Sequence, residues 1–337
     1  MARVILIGLG TTAESAFESL IERFEVIGVV RKVDGGGSEK DPVARRARQL
    51  GVALFFDTSR RGIQRVVSEA TPDCVVVSSY SSLLERETIT ACPFINVHYG
   101  PLPKYRGMAA LNWAILNHEP STAITVHAMV EGMDAGPILY QQLIPIGADD
   151  TVLDLVNRLN ELQRRHLGDA VARLLAGNTG VAQNEAEATY TCNRMPQDGE
   201  IDWSAPTRDV YALVRALPRP FPGAFTYLGG RRLIVWRATP VLAPRLYVGR
   251  VPGRVVAVSK ADGTVDVITG DGVMRLHEVQ IEGAEPAAPS TLITSVRTTL
   301  GLSTSEMLER LQALERQVAE LTRAMREMTS HVQMHGS

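Results

Sequence analysis

The chain has 337 residues, 45% of them hydrophobic, and a formal net charge of −2. That length supports a large buried core and two domains, and the near-neutral balance excludes the global basic signature of a nucleic-acid binder. Three cysteines (Cys74, Cys92, Cys192) without paired or metal-ligand spacing, and the lack of any apolar run approaching about 18 residues, argue against disulfides, a bound metal and a membrane span. The expectation is therefore a soluble cytoplasmic protein.

Residues 4–7 form a short β-branched run, read as a buried parallel strand, with a turn at Gly8-Leu9-Gly10 and a helix to about residue 23. Gly8-x-Gly10-x-x-Ala13 is a near-match to the dinucleotide fingerprint. The next predicted strand, 26–30, ends in Arg31-Lys32 and offers no carboxylate to a ribose hydroxyl, so the glycines are read as a tight strand-to-helix turn. A flexible glycine-rich loop (33–38) follows, then a helix over 42–50, a strand over 53–56, a helix over 62–70 and a strand over 74–77. This alternation predicts an α/β fold with a Rossmann-like, doubly wound, mostly parallel sheet. The run 78–84, SSYSSLL, sits at the carboxyl end of a strand, where it reads both as a helix N-cap region and as a pocket wall.

The most informative stretch is 94–139, FINVHYGPLPKYRGMAALNWAILNHEPSTAITVHAMVEGMDAGPIL. Asn96 and His98 end an apolar run two positions apart, so an extended chain aims both side chains to one side. Gly100, Pro101, Pro103 and Gly107 then break the strand and open a loop, which places polar groups at a sheet edge where open α/β folds bind ligands. A helix over 111–116 and a strand over 123–129 follow, the latter carrying His127, read as a structural or supporting histidine. Asp134 lies in a glycine-flanked loop. Residues 152–175 are strongly amphipathic and complete the first domain as a helix, and 182–198 has the low periodicity of a linker.

A second unit starts near residue 200. Its short strands, separated by glycines at 223–227, 233–236, 253–258, 265–269 and 273–279, predict a small OB-like β-barrel. Beyond residue 303 the apolar residues Met307, Leu311, Leu314, Val318, Leu321, Met325, Met328 and Val332 recur in steps of four and three. That is a coiled-coil-like seam, expected to join two protomers as a homodimer or else to fold back on its own chain. The expected domains are 1–182, a linker at 183–199, a C-terminal domain at 200–290 and a helix at 303–333.

NVHYGPLPKYRG and VEGMDAGPIL resemble the two motifs of the folate-dependent formyltransferases, and RALPRPFPGAFTYLGGRRLIVWRA is similar to the C-terminal domain shared by the transfer-RNA and sugar-nucleotide enzymes of that family. The resemblance implies a Rossmann-like domain that binds no dinucleotide, N10-formyltetrahydrofolate as formyl donor, and Asn96, His98 and Asp134 as catalytic residues. It further implies donor contacts from Tyr80, Leu83, Leu84, Val130, Gly132 and Met133. Tyr105, Arg106, Gly107, Asn112 and Trp113 would line the acceptor side, with Arg106 alternatively pairing a loop to a carboxylate. In chemical terms, an Asn96 amide and a His98 imidazolium would donate to an oxyanion, while Asp134 orients His98 and relays a proton. Among acceptors, PKYRGMAALNW and FPGAFTYLGGRRLIVW resemble most the enzymes that formylate a nucleotide-linked amino sugar or a similar small amine. The alternatives are methionyl-tRNA formylation, hydrolysis of the formyl-folate and a non-catalytic scaffold.

Overall fold

The computed structural model describes residues 1–32, 40–80, 82–302 and 304–334, so the glycine-rich loop at 33–38 and Ser81 lie outside the described residues. The chain divides into two units, Met1–Asp198 with Arg215–Pro222, and Gly199–Val214 with Gly223–Ser337.

In the first unit, strands β1 (Arg3–Gly8), β2 (Glu25–Val30), β3 (Ala53–Phe55), β4 (Cys74–Ser78) and β5 (Phe94–His98) run parallel. They alternate with helices α1 (Gly10–Ile21), α2 (Pro42–Gln49), α3 (Arg60–Ala70) and α4 (Arg86–Ile89). A two-residue strand, β6 (Arg106–Gly107), and helix α5 (Ala110–Leu116) lead to β7 (Ser121–Ala128) and β8 (Ile138–Pro145). These last two close the sheet antiparallel, in the order β3-β2-β1-β4-β5-β7-β8. The doubly wound, mostly parallel sheet expected from the alternation is present. Val4, Ile5, Leu6 and Ile7 of β1 and Cys74, Val75 and Val76 of β4 have no exposed surface, as strands covered on both faces require. Strand β8 is the addition that periodicity missed. It is an edge strand in which Gln141, Gln142 and Leu143 are all exposed, so no apolar alternation marks it.

Helix α6 (Val152–Leu175) opens on a reciprocal capping box between Thr151 and Asp154. It packs along α1, where the fully buried Gln163 amide donates to Thr12 O at 2.8 Å and to Ser78 Oγ at 3.1 Å. This ties three elements together at the carboxyl edge of the sheet. The segment expected as linker carries β9 (Tyr190–Thr191), which pairs with β6.

The glycines after β1 serve close packing. A Cβ on Gly8 would lie 2.0 Å from the Ser78 carbonyl oxygen, and Gly10 adopts φ +64° at the helix start. Arg31, at the end of β2 where a dinucleotide site would carry an acid, is buried and paired to Asp41 at 2.6 Å.

The second unit contains most of helix α7 (Thr207–Ala216) and strands β10 (Ala224–Leu228), β11 (Arg231–Pro240), β12 (Val255–Ser259), β13 (Thr264–Ile268) and β14 (Val273–Ile281). The strands form an antiparallel sheet in the order β10-β11-β14-β13-β12. Trp203, Leu233, Val235, Val265, Met274 and Leu276 fill its core, and Trp203 Nε1 donates to Thr226 Oγ1 at 2.9 Å, which satisfies the one polar atom of the buried indole. A short helix, α8 (Pro289–Leu292), precedes α9 (Thr304–Met334). Along α9, Met307, Leu311, Leu314, Val318 and Leu321 are 47–65% exposed. The seam is therefore not buried by its own chain over that span. Its continuation at Met328 and Val332 falls where no side chain is described.

Replacing Gly8 with alanine is expected to lower stability by roughly 1–3 kcal/mol, because the new methyl meets a strand carbonyl that cannot yield. Urea unfolding of Gly8→Ala against the parent protein checks this. An unchanged midpoint would mean that the turn is loose enough to accept a side chain.

Candidate active site

Strand β5 delivers two functional side chains, and β7 delivers a third beside them. Asn96 and His98 share one face of β5, as their spacing of two requires. The antiparallel register sets Asn96 opposite His127 of β7 and His98 opposite Thr125. Asp134 reaches the same place from the loop between β7 and β8. It is held in the left-handed region at φ +48°, a conformation that a non-glycine residue keeps only where its surroundings impose it.

The four side chains meet around the Asp134 carboxylate. Asn96 Nδ2 donates to Asp134 Oδ1 at 3.0 Å, and His127 Nε2 lies 3.3 Å from the same oxygen. The Gly107 N–H donates to Oδ2 at 2.8 Å, and His98 Nδ1 lies 3.5 Å from it. Asn96 Nδ2 also stands 3.2 Å from His127 Nε2. Proton positions follow from the partners. Tyr105 O, 2.8 Å from His98 Nε2, can only accept, so Nε2 carries a proton. His127 Nδ1 likewise donates to Ala128 O at 2.9 Å.

All of this is inside the protein. His98 is 7% exposed, His127 2% and the Asp134 side chain 14%. Burial lowers the pKa of His98 below its ordinary 6.5. The negative charge of Asp134 and the Tyr105 carbonyl oppose that shift, and the neighbouring His127 adds to it. Burial alone would raise the pKa of Asp134. The His127 contact, the charges of His98 and His127 and the Gly107 N–H outweigh it and hold the carboxyl well below the ordinary 3.8. The resting site is thus a firmly charged carboxylate beside a neutral His98, where sequence reasoning expected an imidazolium. Desolvation is the reason, and it is not visible in residue order.

A cavity of ≈ 410 Å³ opens over these groups along the carboxyl ends of β1, β4 and β5, the position at which open α/β sheets take ligands. All six residues expected at the donor, Tyr80, Leu83, Leu84, Val130, Gly132 and Met133, line it. Of the acceptor set, Gly107 and Asn112 line it as well. The other three do not. Arg106 is completely buried and spends its guanidinium on Glu185 at 2.6 and 2.9 Å and on Gln183 at 2.8 and 3.2 Å. That is the loop-to-carboxylate alternative, because a cation with no access to water needs a fixed counter-charge. The Tyr105 hydroxyl donates to Glu119 Oε1 at 2.6 Å, and Trp113 Nε1 donates to Cys192 O at 2.9 Å, so both brace the surrounding loops.

His127, expected as a structural or supporting histidine, lies 3.3 Å from the Asp134 carboxylate, a contact that the β5–β7 register alone reveals. Gln183 donates to Asp134 O and Gly136 O, both at 2.7 Å. It stands in a stretch without periodicity, and no local signal marks it.

Residues 40–171 match the profile of the formyl transferase family, and residues 194–297 match that of the formyl transferase C-terminal domain, together more than half of the chain. HypX from Aquifex aeolicus, in complex with tetrahydrofolic acid, is similar over 88% of this chain and 47% of its own, at 17% identity and a TM-score of 0.64. A sugar N-formyltransferase from Shewanella sp FDAARGOS_354 matches 69% of this chain and 95% of its own, at 21% identity and a TM-score of 0.54. A methionyl-tRNA formyltransferase from Clostridium thermocellum matches 80% and 100%, at 18% identity and a TM-score of 0.53. The chain spans about half the length of the HypX structures it matches. At these identities the likeness establishes a shared fold.

Because His98 resists protonation in the folded state, its contribution to stability is complete above pH 6.5 and is lost as the pH falls from there toward its lowered pKa. Asp134 keeps its contribution until the pH falls below 3.8. Urea-unfolding free energies measured downward from pH 7 are therefore expected to fall less steeply for His98→Gln than for the parent. Equal slopes would mean that His98 titrates as it does in the unfolded chain.

Proposed function

The chain belongs to the folate-dependent formyltransferase family, and from that premise we propose that it transfers the formyl group of N10-formyltetrahydrofolate to a primary amine. The observation that carries the proposal is the buried Asp134 carboxylate ringed by Asn96, His98 and His127 at the floor of the cavity. Leu83, Leu84, Ile89 and Met129 give this cavity an apolar wall against which a flat pterin fits, and Glu131, Gly132 and Met133 lie along its rim. When bound, the folate supplies an activated formyl carbon.

The protein's own groups act on that carbon's surroundings. In the ligand-free site both N–H bonds of Asn96 face Asp134 and His127, and a formyl oxygen entering the cavity competes for one of them. The Nε2–H of His98, now on Tyr105 O, is the second donor in reach of the charge that develops on that oxygen. The attacking amine must be neutral and must lose a proton. Asp134 receives this proton but, with its pKa held down, passes it to the neutral ring of His98; as the tetrahedral intermediate collapses, the bond from the formyl carbon to N10 breaks and the proton on His98 goes to the departing N10, which restores the neutral ring. A neutral resting His98 is consistent with this order of events.

We further propose that the acceptor is a nucleotide-linked amino sugar or a similar small amine. The resemblance of PKYRGMAALNW and FPGAFTYLGGRRLIVW to sugar-nucleotide enzymes supports it, as does the net charge of −2, which gives little to hold a polyanionic RNA. The acceptor side of the cavity then consists of Gly107, Asn112 and their neighbours Met108 and Leu111. The exposed seam of α9 supports a homodimer, since residues at a and d positions with Val318 at a and Leu314 and Leu321 at d suit a two-stranded coil.

Incubation with N10-formyltetrahydrofolate and a panel of amines, read by mass spectrometry, tests the reaction. A product heavier by one carbonyl group is expected on an amino sugar nucleotide. Asn96→Ala, His98→Ala and Asp134→Asn should each reduce turnover by about a hundred- to a thousandfold. Formylated tRNA would move the acceptor, and formate released without any amine product would replace transfer by hydrolysis. For the assembly, light scattering is expected to give twice the chain mass for the parent and one chain mass for the double variant Leu314→Glu with Leu321→Glu, with formyl transfer retained. A parent that runs as a monomer would remove the dimer.

A further inference from the structure

Gln183 lies between the two stretches matched to the formyl transferase profiles, 40–171 and 194–297, so nothing about the family resemblance marks it. Yet its side chain joins the two loops that build the carboxylate site. Its Nε2 donates to Asp134 O and to Gly136 O, both at 2.7 Å. Its Oε1 accepts from Arg106 Nη2 at 2.8 Å and from Arg106 Nε at 3.2 Å. Arg106 is anchored in turn by Glu185 at 2.6 and 2.9 Å and by the Tyr190 hydroxyl at 3.1 Å. The next residue, Gly107, donates its backbone N–H back to Asp134 Oδ2 at 2.8 Å. The connections close a ring that runs from the Asp134 carbonyl through Gln183 and Arg106 to the Asp134 carboxylate.

Asp134 needs such a brace. At φ +48° the residue occupies a conformation that L side chains rarely adopt, and without donors on its carbonyl it would relax toward negative φ. That rotation swings Cβ and takes the carboxylate away from the Gly107 N–H and from both histidines. The far end of the loop cannot compensate. A Cβ on Gly136 would lie 1.7 Å from Ala128 O, and Ala128 N donates to Pro137 O at 2.9 Å, so the strand end is fixed and freedom is confined to the Asp134 side. The Gln183 segment is itself docked on β8, where Val181 and Ile138 exchange backbone hydrogen bonds at 2.8 and 2.9 Å.

We propose that Gln183 is a positioning residue of the formyl-transfer site, which acts by clamping the Asp134 backbone so that its carboxylate faces His98. The inference rests on the transfer reaction proposed above for its catalytic consequence, but its physical content is a placement that can be read without turnover. His98 is faced by Asp134, by His127 and by the Tyr105 carbonyl. Of these, the carboxylate is held by Gln183 through the Asp134 carbonyl, and the Tyr105 carbonyl is held less directly, through the neighbouring Arg106.

The test is a histidine NMR titration of the ligand-free full chain, with the His98 resonance assigned by its loss in His98→Gln. Gln183→Met keeps the length of the side chain and removes its N–H donors. With the carboxylate displaced, the His98 pKa is expected to fall further below that of the parent. In turnover, kcat should drop on the order of ten- to a hundredfold, with the acid limb of the pH profile moved in the same direction and KM for the formyl donor little changed. If Gln183→Met does not fold, Gln183→Ala removes the same N–H donors from Asp134 O and Gly136 O without adding bulk and is read in the same way. A folded variant whose His98 titrates as in the parent would overturn the proposal, whatever its thermal stability. A shifted His98 in a protein that formylates no amine would sustain the clamp and remove only the transfer reaction.

Discussion

One buried charge organises this protein. The Asp134 carboxylate sits where burial disfavours ionisation, and it stays charged because the Asn96 amide and the Gly107 N–H donate to its two oxygens, with the His127 and His98 rings 3.3 and 3.5 Å away. These come from β5, β6 and β7, so the charge holds only if the strand order and register are correct. The fold's investment in the carboxyl edge of the sheet is best understood as the means of keeping that charge dry and paired.

The same constraint explains the backbone around the cavity. Ser79, Tyr105, Ala109 and Asp134 all have positive φ between 48° and 66°, and each non-glycine residue held there costs about 1–3 kcal/mol. Hydrogen bonds hold three of them. Tyr105 N donates to Thr189 Oγ1 at 2.9 Å, Ala109 O accepts from Trp113 N at 3.0 Å, and Gln183 holds Asp134. Side chains expected to touch substrate, such as Tyr105, Arg106 and Trp113, are taken up in bracing these loops. The site is therefore small in its reacting groups and large in its support. This is the usual consequence of holding a carboxylate and two imidazoles to within a fraction of an ångström.

The second unit shows another balance. Its core is an ordinary antiparallel packing of Val, Leu and Met around Trp203, but α9 carries an apolar seam that its own chain leaves half exposed. Exposed leucines in repeating steps form an apolar face that the rest of the described chain does not cover.

Much of this was legible in the residues. Buried parallel strands announce themselves by short β-branched runs, amphipathic helices by their period, and the pairing of Asn96 with His98 by a spacing of two, because each of these is fixed within one stretch of backbone. What depends on distant segments was not legible. Residue order cannot say that His127 lies opposite Asn96, that β8 closes the sheet edge with exposed glutamines, or that Arg106 turns inward to Gln183 and Glu185. Nor can it say that burial favours neutral His98. These are decided by register, by which loop covers which, and by how much water is removed, all of which exist only after the chain has folded. The sequence by itself determined which chemical groups could meet and on which elements they ride. The tertiary structure decided which of them do meet and with what charge, because desolvation and hydrogen-bond partnership are properties of assembled surfaces.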